Sequence, residues 1–128
     1  MEHLVDELNP NQEFAVGNDV VFLTNFKQSF NNLFQKKVYT DQEIAFCEQF
    51  AEPILRYAST WAAKEAVYKA IKQIYPQPIS FKKIEITRSK IGGRPVATLP
   101  PLYMDLEISL SLSHDGDYVW AVAIVKLQ

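Results

Sequence analysis

The chain has 128 residues, a formal net charge of −2 and one cysteine. This length predicts a single domain over residues 1–128 with a modest core. The nearly balanced charge argues against a nucleic-acid binder that relies on a basic face. One cysteine provides neither a disulfide framework nor a cysteine metal site. No apolar window is long enough to span a membrane and the first residues do not form a signal peptide, so we expect a cytoplasmic protein.

The first third of the chain predicts an arm, a strand and a helix. Residues 1–12 are polar and are expected to form a short helix or an N-terminal arm. Residues 14–23 are rich in β-forming side chains, and Gly17-Asn18-Asp19 is expected to interrupt this strand. Residues 25–35 place three phenylalanines and Leu33 on one side of a helix.

Two further helices follow, and both have clear start signals. Thr40 and Glu43 have the spacing of a capping box, which predicts a helix that runs to about Phe50. Pro53 suits the first turn of a long helix that runs to about Ile74. The two prolines after this helix would end it.

The remaining segments predict strands. Residues 79–88 alternate imperfectly, 96–99 are short and strand-like, and 107–114 and 117–127 alternate clearly. Asp115-Gly116 is a tight-hairpin signal between the last two. The resulting fold class is α+β, with a small antiparallel sheet on which the long helix packs.

The long helix carries the most informative residues. Glu65 and Lys69 are four residues apart and therefore share a helix face, with Lys64 and Lys72 beside them. A site that handles phosphate and a divalent metal needs this mixture of an anion and cations. The alternative is a solvated surface ion pair, which is the ordinary role of Glu and Lys at this spacing.

Three more segments accompany this helix: Gly17-Asn18-Asp19, Gly93-Arg94-Pro95 and Ser111-Leu112-Ser113-His114. In this order the four segments resemble the 4′-phosphopantetheinyl transferase superfamily, in particular its single-domain holo-acyl carrier protein synthase type. The family patterns are Gly-x-Asp, Ala-Ala-Lys-Glu-Ala-x-x-Lys-Ala, Gly-Lys-Pro and Ser-x-Ser-His. The resemblance extends over roughly residues 14–126.

The resemblance implies a fold, a reaction and a set of ligands. The fold would be that of the phosphopantetheinyl transferases. The reaction would be Mg²⁺-dependent transfer of the 4′-phosphopantetheine arm of coenzyme A to a serine of an apo-acyl carrier protein, with release of adenosine 3′,5′-bisphosphate. Asp19 and Glu65 would bind Mg²⁺ and act in catalysis with Lys69.

The coenzyme-binding residues implied by the resemblance are Lys64, Lys69, Gly93, Arg94, Pro95 and His114. Arg94 replaces the lysine of the Gly-Lys-Pro pattern and keeps its charge. Thr60 and Asn25 stand where arginines are usual, which bears on the binding of coenzyme phosphates and of an acidic carrier protein. Two other positions also depart from the pattern, Asn18 and Tyr68. The cations available to compensate are Arg56, Arg88 and Lys90.

One other class of function remains open from the residues, a non-catalytic coenzyme A-binding or partner-binding module of the same fold. A third interpretation, a generic α+β interaction domain, explains none of the four segments. Both carboxylates, Asp19 and Glu65, favour a transferase over the binding module. The resemblance also implies a closed homo-oligomer, most simply a trimer, in which these carboxylates and Lys69 face Arg94 and His114 of the next subunit.

Overall fold

The computed structural model describes residues 14–88 and 93–128. The predicted N-terminal arm and Lys90 lie outside these ranges. The regular elements are, in chain order, β1 (Phe14–Phe22), α1 (Leu23–Ser29), α2 (Asn32–Val38), α3 (Asp41–Glu48), α4 (Pro53–Ile71), β2 (Glu85–Arg88), β3 (Pro95–Thr98), β4 (Leu106–Asp115) and β5 (Tyr118–Leu127).

The sheet is antiparallel, and α4 packs on one of its faces. Strands β1, β5 and β4 lie side by side in that order, whereas β2 and β3 form a separate two-stranded sheet. Alternate residues of β5 are buried under α4, among them Val119, Ala121, Ala123 and Val125. The small alanines of α4 allow the helix to approach this face closely. The predicted α+β architecture is confirmed.

Gly17 fixes the position of β1 against α4. A Cβ atom at this residue would lie 2.0 Å from the carbonyl oxygen of Ala66 and 2.7 Å from the amide nitrogen of Ala70. Only a glycine permits such an approach between two backbones. The expected interruption at Gly17-Asn18-Asp19 was wrong, because β1 pairs with β5 without a break from Phe14 to Phe22.

The segment predicted as one helix over residues 25–35 is two short helices. Asn31 has an extended backbone, and its side-chain oxygen accepts a hydrogen bond of 2.8 Å from the amide of Phe34. Asparagine is among the preferred residues for this N-cap role, so α2 starts anew after α1. Leu33 does not join the phenylalanines in the core, because 77% of its surface is exposed.

The start signals of the next two helices were correct, and their ends were less so. Thr40 and Glu43 form the capping box of α3, and Pro53 lies in the first turn of α4. The helix α4 ends at Ile71, three residues before the predicted end at Ile74. Tyr75 continues the turn by donating its amide to the Ile71 carbonyl at 2.8 Å.

Two strand predictions need correction. Residues 79–88 form a 3₁₀ turn at Phe81–Lys83 before the shorter strand β2. The hairpin between β4 and β5 turns one residue later than predicted, because Asp115 pairs with Tyr118 and the loop is Gly116-Asp117. Gly116 has a φ of 58°, as a two-residue turn with glycine first requires. Within the described ranges, no helix is both long and apolar enough to cross a bilayer.

Candidate active site

Asp19, Glu65 and Lys69 meet where β1 passes α4. The ammonium of Lys69 lies 2.9 Å from Asp19 Oδ1 and donates a further hydrogen bond of 3.1 Å to the Asn18 carbonyl. The side chain of Lys69 is 51% exposed, and that of Asp19 is 12% exposed. The close approach at Gly17 brings these groups together. Lys69 therefore keeps one N–H donor and an open side for a ligand.

The two carboxyl groups of this site share one region of low polarity. The pKa of Glu65 is raised to about 7, chiefly by burial and next by the neighbouring Asp19 carboxylate, while the Lys69 ammonium opposes both effects. A hydrogen bond between the two carboxyl groups also favours the protonated form. Lys69 neutralises only part of the charge of two ionised carboxylates, and a divalent cation could neutralise the rest.

The two carboxylates suit Mg²⁺ better than a metal whose ligands must all come from protein side chains. Among residues 14–88 and 93–128, no group of three or more histidine, cysteine, aspartate or glutamate side chains could hold a metal. Mg²⁺ is commonly bound by one or two carboxylates, with water and substrate phosphate oxygens as the other ligands. Asp19 and Glu65 fit this role, and a phosphate beside Lys69 would complete it.

An open cleft of about 460 Å³ adjoins the carboxylates. Phe26, Phe34 and Trp61 form its apolar wall, and the rings of Phe34 and Trp61 meet edge to face at 5.2 Å. Asp19 and Glu65 lie at its polar end. The cleft can therefore hold an apolar or extended chain whose charged end reaches the carboxylates.

Lys64 does not belong to this site, and its predicted role in phosphate binding needs correction. Its side chain is fully buried and lies 2.8 Å from Glu43 Oε1. It also donates to the carbonyls of Phe81 at 2.8 Å and Ile84 at 2.7 Å. These three oxygens use all the donors of the ammonium. Lys64 thus connects α4 to α3 and to the start of β2.

The predicted coenzyme-binding residues Arg94 and His114 lie in another part of the molecule. His114 is exposed near the end of β4 and lines a pocket of about 570 Å³ with the first turn of α4. That pocket and the carboxylate cleft lie on two sides of α1. Arg94 is exposed and Gly93 buried just before β3, where Pro95 pairs with Arg88. A single chain does not bring these residues to Asp19 and Glu65.

Sequence reasoning missed two residues that shape the site. Glu43 was recognised only as a capping residue, yet its second carboxylate oxygen accepts from the Ile86 amide at 2.7 Å while the first binds Lys64. Gln73 donates to the carbonyl of Val16 at 2.8 Å and so covers the free edge of β1 beside Asn18. Neither role has a local signal, because each joins segments over 40 residues apart.

Comparison with known proteins decides the family. The model of the 4′-phosphopantetheinyl transferase superfamily matches residues 15–123. This chain belongs to that superfamily. The matched range contains the carboxylates, Lys69 and His114, and both the predicted family and the enzyme class are confirmed.

Individual relatives agree along nearly their whole length. This transferase is 33% identical to the holo-[acyl-carrier-protein] synthase of Wolbachia pipientis subsp. Culex pipiens, over 90% of this chain and 98% of the relative. It is 32% identical to the synthase of Aquifex aeolicus, over 87% and 97%. The solved ACPS–CoA complex from Chronobacterium ammoniagenes superposes with a TM-score of 0.79 at 29% identity, over 91% and 99%.

Proposed function

We propose that this transferase moves the 4′-phosphopantetheine arm of coenzyme A to a serine of an apo-acyl carrier protein and releases adenosine 3′,5′-bisphosphate. The observation that carries the proposal is the meeting of Asp19, Glu65 and Lys69 beside an open cleft. Relatives that match over nearly their full length are named holo-[acyl-carrier-protein] synthases. A related solved structure is a complex with CoA.

Glu65 is the residue best suited to accept the serine proton. In the transfer, the serine oxygen bonds to the phosphorus that carries the pantetheine arm, and the bond from that phosphorus to the nucleotide phosphate oxygen breaks. The serine proton must leave, directly or through a water molecule. Without a metal the pKa of Glu65 is raised to about 7, and Mg²⁺ when bound would favour the carboxylate form that accepts a proton.

Lys69 is placed to neutralise part of the charge of the pyrophosphate. The exposed Lys69 ammonium can turn from Asp19 to a phosphate oxygen, since its side chain is half free. Mg²⁺ held by Asp19 and Glu65 would supply charge neutralisation to the phosphate oxygens when bound. Asp19 then has a positioning role, because it fixes both the cation and Lys69. These residues orient the reacting groups and stabilise the charge of the phosphates. Phosphoryl-type transfers depend mainly on these two effects.

The acceptor face lies on the helices beside the cleft. No aspartate or glutamate occurs from Leu23 to Thr40, whereas three lysines do, at positions 27, 36 and 37. The two short helices in this stretch surround the apolar wall of the cleft. This combination favours an acidic protein that presents a serine to the carboxylates.

A homo-oligomer, most simply a trimer, would complete the site. The outer face of the sheet exposes large apolar side chains: Val16 46%, Val20 60%, Trp120 39% and Ile124 46%. Such a patch is typical of a protein interface. Because Arg94 and His114 lie away from the carboxylates of their own chain, we assign them to the coenzyme site of a neighbouring copy.

Intact mass spectrometry tests the proposal. The full chain is incubated with coenzyme A, Mg²⁺ and a panel of apo-carrier proteins, each compared with a variant whose acceptor serine is alanine. We expect one carrier to gain the mass of a single phosphopantetheine arm only when its serine is present. Binding of coenzyme A without a mass gain on any carrier would instead support the non-catalytic module of the same fold.

A further inference from the structure

The hairpin of β2 and β3 has few polar links to the rest of the protein. Among the described residues, β2 pairs with β3 and neither strand pairs with the three-stranded sheet. Within residues 14–88 and 93–128, the hydrogen bond that joins these strands to another element runs from the Ile86 amide to Glu43 Oε2, at 2.7 Å. Arg94 directly precedes β3. The orientation of the segment that carries Arg94 therefore depends on Glu43.

The Glu43 carboxylate is buried and contacts three parts of the fold at once. Its Oε1 atom lies 2.8 Å from the Lys64 ammonium of α4 and accepts a hydrogen bond of 2.8 Å from the Thr40 amide at the start of α3. Lys64 in turn donates to the carbonyls of Phe81 and Ile84, just before β2. A capping glutamate needs only the amide of the N-cap residue. The additional contacts of Glu43 indicate a second role.

Apolar contacts alone would not fix the direction of the hairpin. The side chains of Ile84 and Ile86 are buried, but the hydrophobic effect has no preferred direction and tolerates small rotations of a packed hairpin. Hydrogen bonds to a buried charged group are directional and strong. Glu43 and Lys64 hold the backbone at Ile86 and at Ile84, so a rotation of the hairpin would strain or break these bonds.

We propose that Glu43 is a positioning residue for the coenzyme, because its bond to Ile86 sets the direction of the β2–β3 hairpin and so the position of Arg94. Arg94 is exposed, whereas Glu43 is buried too deeply to touch a ligand. This step rests on the proposed function, in which Arg94 belongs to the coenzyme site of a neighbouring copy. A guanidinium binds phosphate through donors of fixed geometry, so a small rotation of the hairpin would weaken the contact.

Isothermal titration calorimetry with coenzyme A tests this role on variants that are designed to keep the fold. Glu43→Leu with Lys64→Met removes both charges together and leaves none unpaired in the interior. Glu43→Asp keeps the charge on a shorter side chain that cannot span Lys64 and Ile86 together, and it decides the test if the double variant melts below the assay temperature. The matched control is Thr40→Ala, which removes the hydroxyl that caps α3 and leaves the Glu43 carboxylate in place.

Both Glu43 variants should bind coenzyme A about tenfold more weakly than the wild type, whereas Thr40→Ala should bind it equally well. The turnover number at saturating coenzyme A should change by less than about twofold, because Asp19 and Glu65 are untouched. In an Arg94→Gln background, the Glu43 variants should cause no further loss of affinity, since their effect passes through Arg94.

Hydrogen exchange provides a measurement that needs neither coenzyme nor carrier protein. The amides of β2 and β3 should exchange about tenfold faster in the Glu43 variants, while those of β5 keep their wild-type rates. Wild-type affinity for coenzyme A in the Glu43 variants, an undiminished loss in the Arg94→Gln background, or unchanged exchange of β2 and β3 overturns the inference. If exchange and affinity change as expected but no carrier is modified, the positioning role stands and the proposed transfer fails.

Discussion

Two lysines of α4 pair with acids of other elements at nearly the same distance but in opposite surroundings. Lys64 lies 2.8 Å from Glu43, and Lys69 lies 2.9 Å from Asp19. The first pair is completely buried, and its members bind four backbone groups as well as each other. The second pair is open, with about half of the lysine side chain exposed and a free donor on the ammonium. The remaining binding capacity, rather than the distance, separates a pair with only a structural role from one that could also bind a ligand.

This difference follows from where each residue faces on the helix. Both lysines are in the Ala-Ala-Lys-Glu-Ala-x-x-Lys-Ala pattern, but Lys64 faces α3 and β2 whereas Lys69 faces the edge of β1. The buried pair fixes the orientation of the helix that carries Glu65. In the function that we propose, the open pair would exchange its partners for a metal and a phosphate without loss of the fold.

Breaking the buried pair should have the largest effect. Lys64→Ala leaves the Glu43 carboxylate buried without a cation, and we expect a loss of about 3–5 kcal/mol in the free energy of unfolding. Urea denaturation measures it. The apolar double variant Glu43→Leu with Lys64→Met should recover much of the loss, because no charge is then left unpaired. If Lys64→Ala lowers the free energy of unfolding by less than about 1 kcal/mol, the buried pair does not stabilise the fold as proposed.

Removing a carboxylate of the open site should affect the rate and not the fold. Asp19→Asn and Glu65→Gln are each expected to lower the transfer rate by about a hundredfold or more at saturating Mg²⁺. Circular dichroism should remain that of the wild type. Transfer near the wild-type rate by both variants would place the metal and the chemistry elsewhere.

Lys69→Ala should weaken coenzyme A binding and leave the stability of the fold almost unchanged. The half-exposed ion pair with Asp19 contributes at most about 1 kcal/mol to folding. Loss of one charge-assisted contact to a phosphate should weaken coenzyme A binding by about tenfold, measured by calorimetry. Lys72→Ala, one turn further along and facing the Tyr68 ring, is the matched control. Equal affinities of the two variants would remove Lys69 from the phosphate site.

The pH dependence of stability should reveal Glu65 in the metal-free protein. In the folded state Glu65 holds its proton up to about pH 7, whereas its ordinary pKa is 4.5. The folded state therefore binds more protons between these values, and the free energy of unfolding falls as the pH rises through them. Glu65→Gln should be more stable than the wild type above pH 7, by about 1 kcal/mol after allowance for solvent screening, and equal to it below pH 4.5. Urea denaturation of both proteins in EDTA across this pH range measures the difference. If the free energies of unfolding of wild type and Glu65→Gln change with pH in parallel, the raised pKa of Glu65 is contradicted.

The sequence predicted the starts of α3 and α4 and the shared helix face of Glu65 and Lys69, because these rest on local patterns. Thr40 and Pro53 are start signals read within one turn, and Glu65 and Lys69 share a face by spacing alone. Lys64 could not be placed in this way, since its partners Glu43 and Ile84 come from other segments. Gly17 shows the same limit. A glycine in a β-rich run suggested a break, whereas the approach of α4 is what requires it.

The most direct test of the account mixes two inactive variants. Glu65→Gln and His114→Ala, each inactive alone, are denatured together in equal amounts, refolded and assayed for phosphopantetheine transfer. In a closed ring about a quarter of the interfaces then join an intact carboxylate half to an intact His114 half, so about a quarter of the wild-type rate should return. No recovery, together with a monomeric mass by light scattering at the assay concentration, would contradict an active site shared between copies.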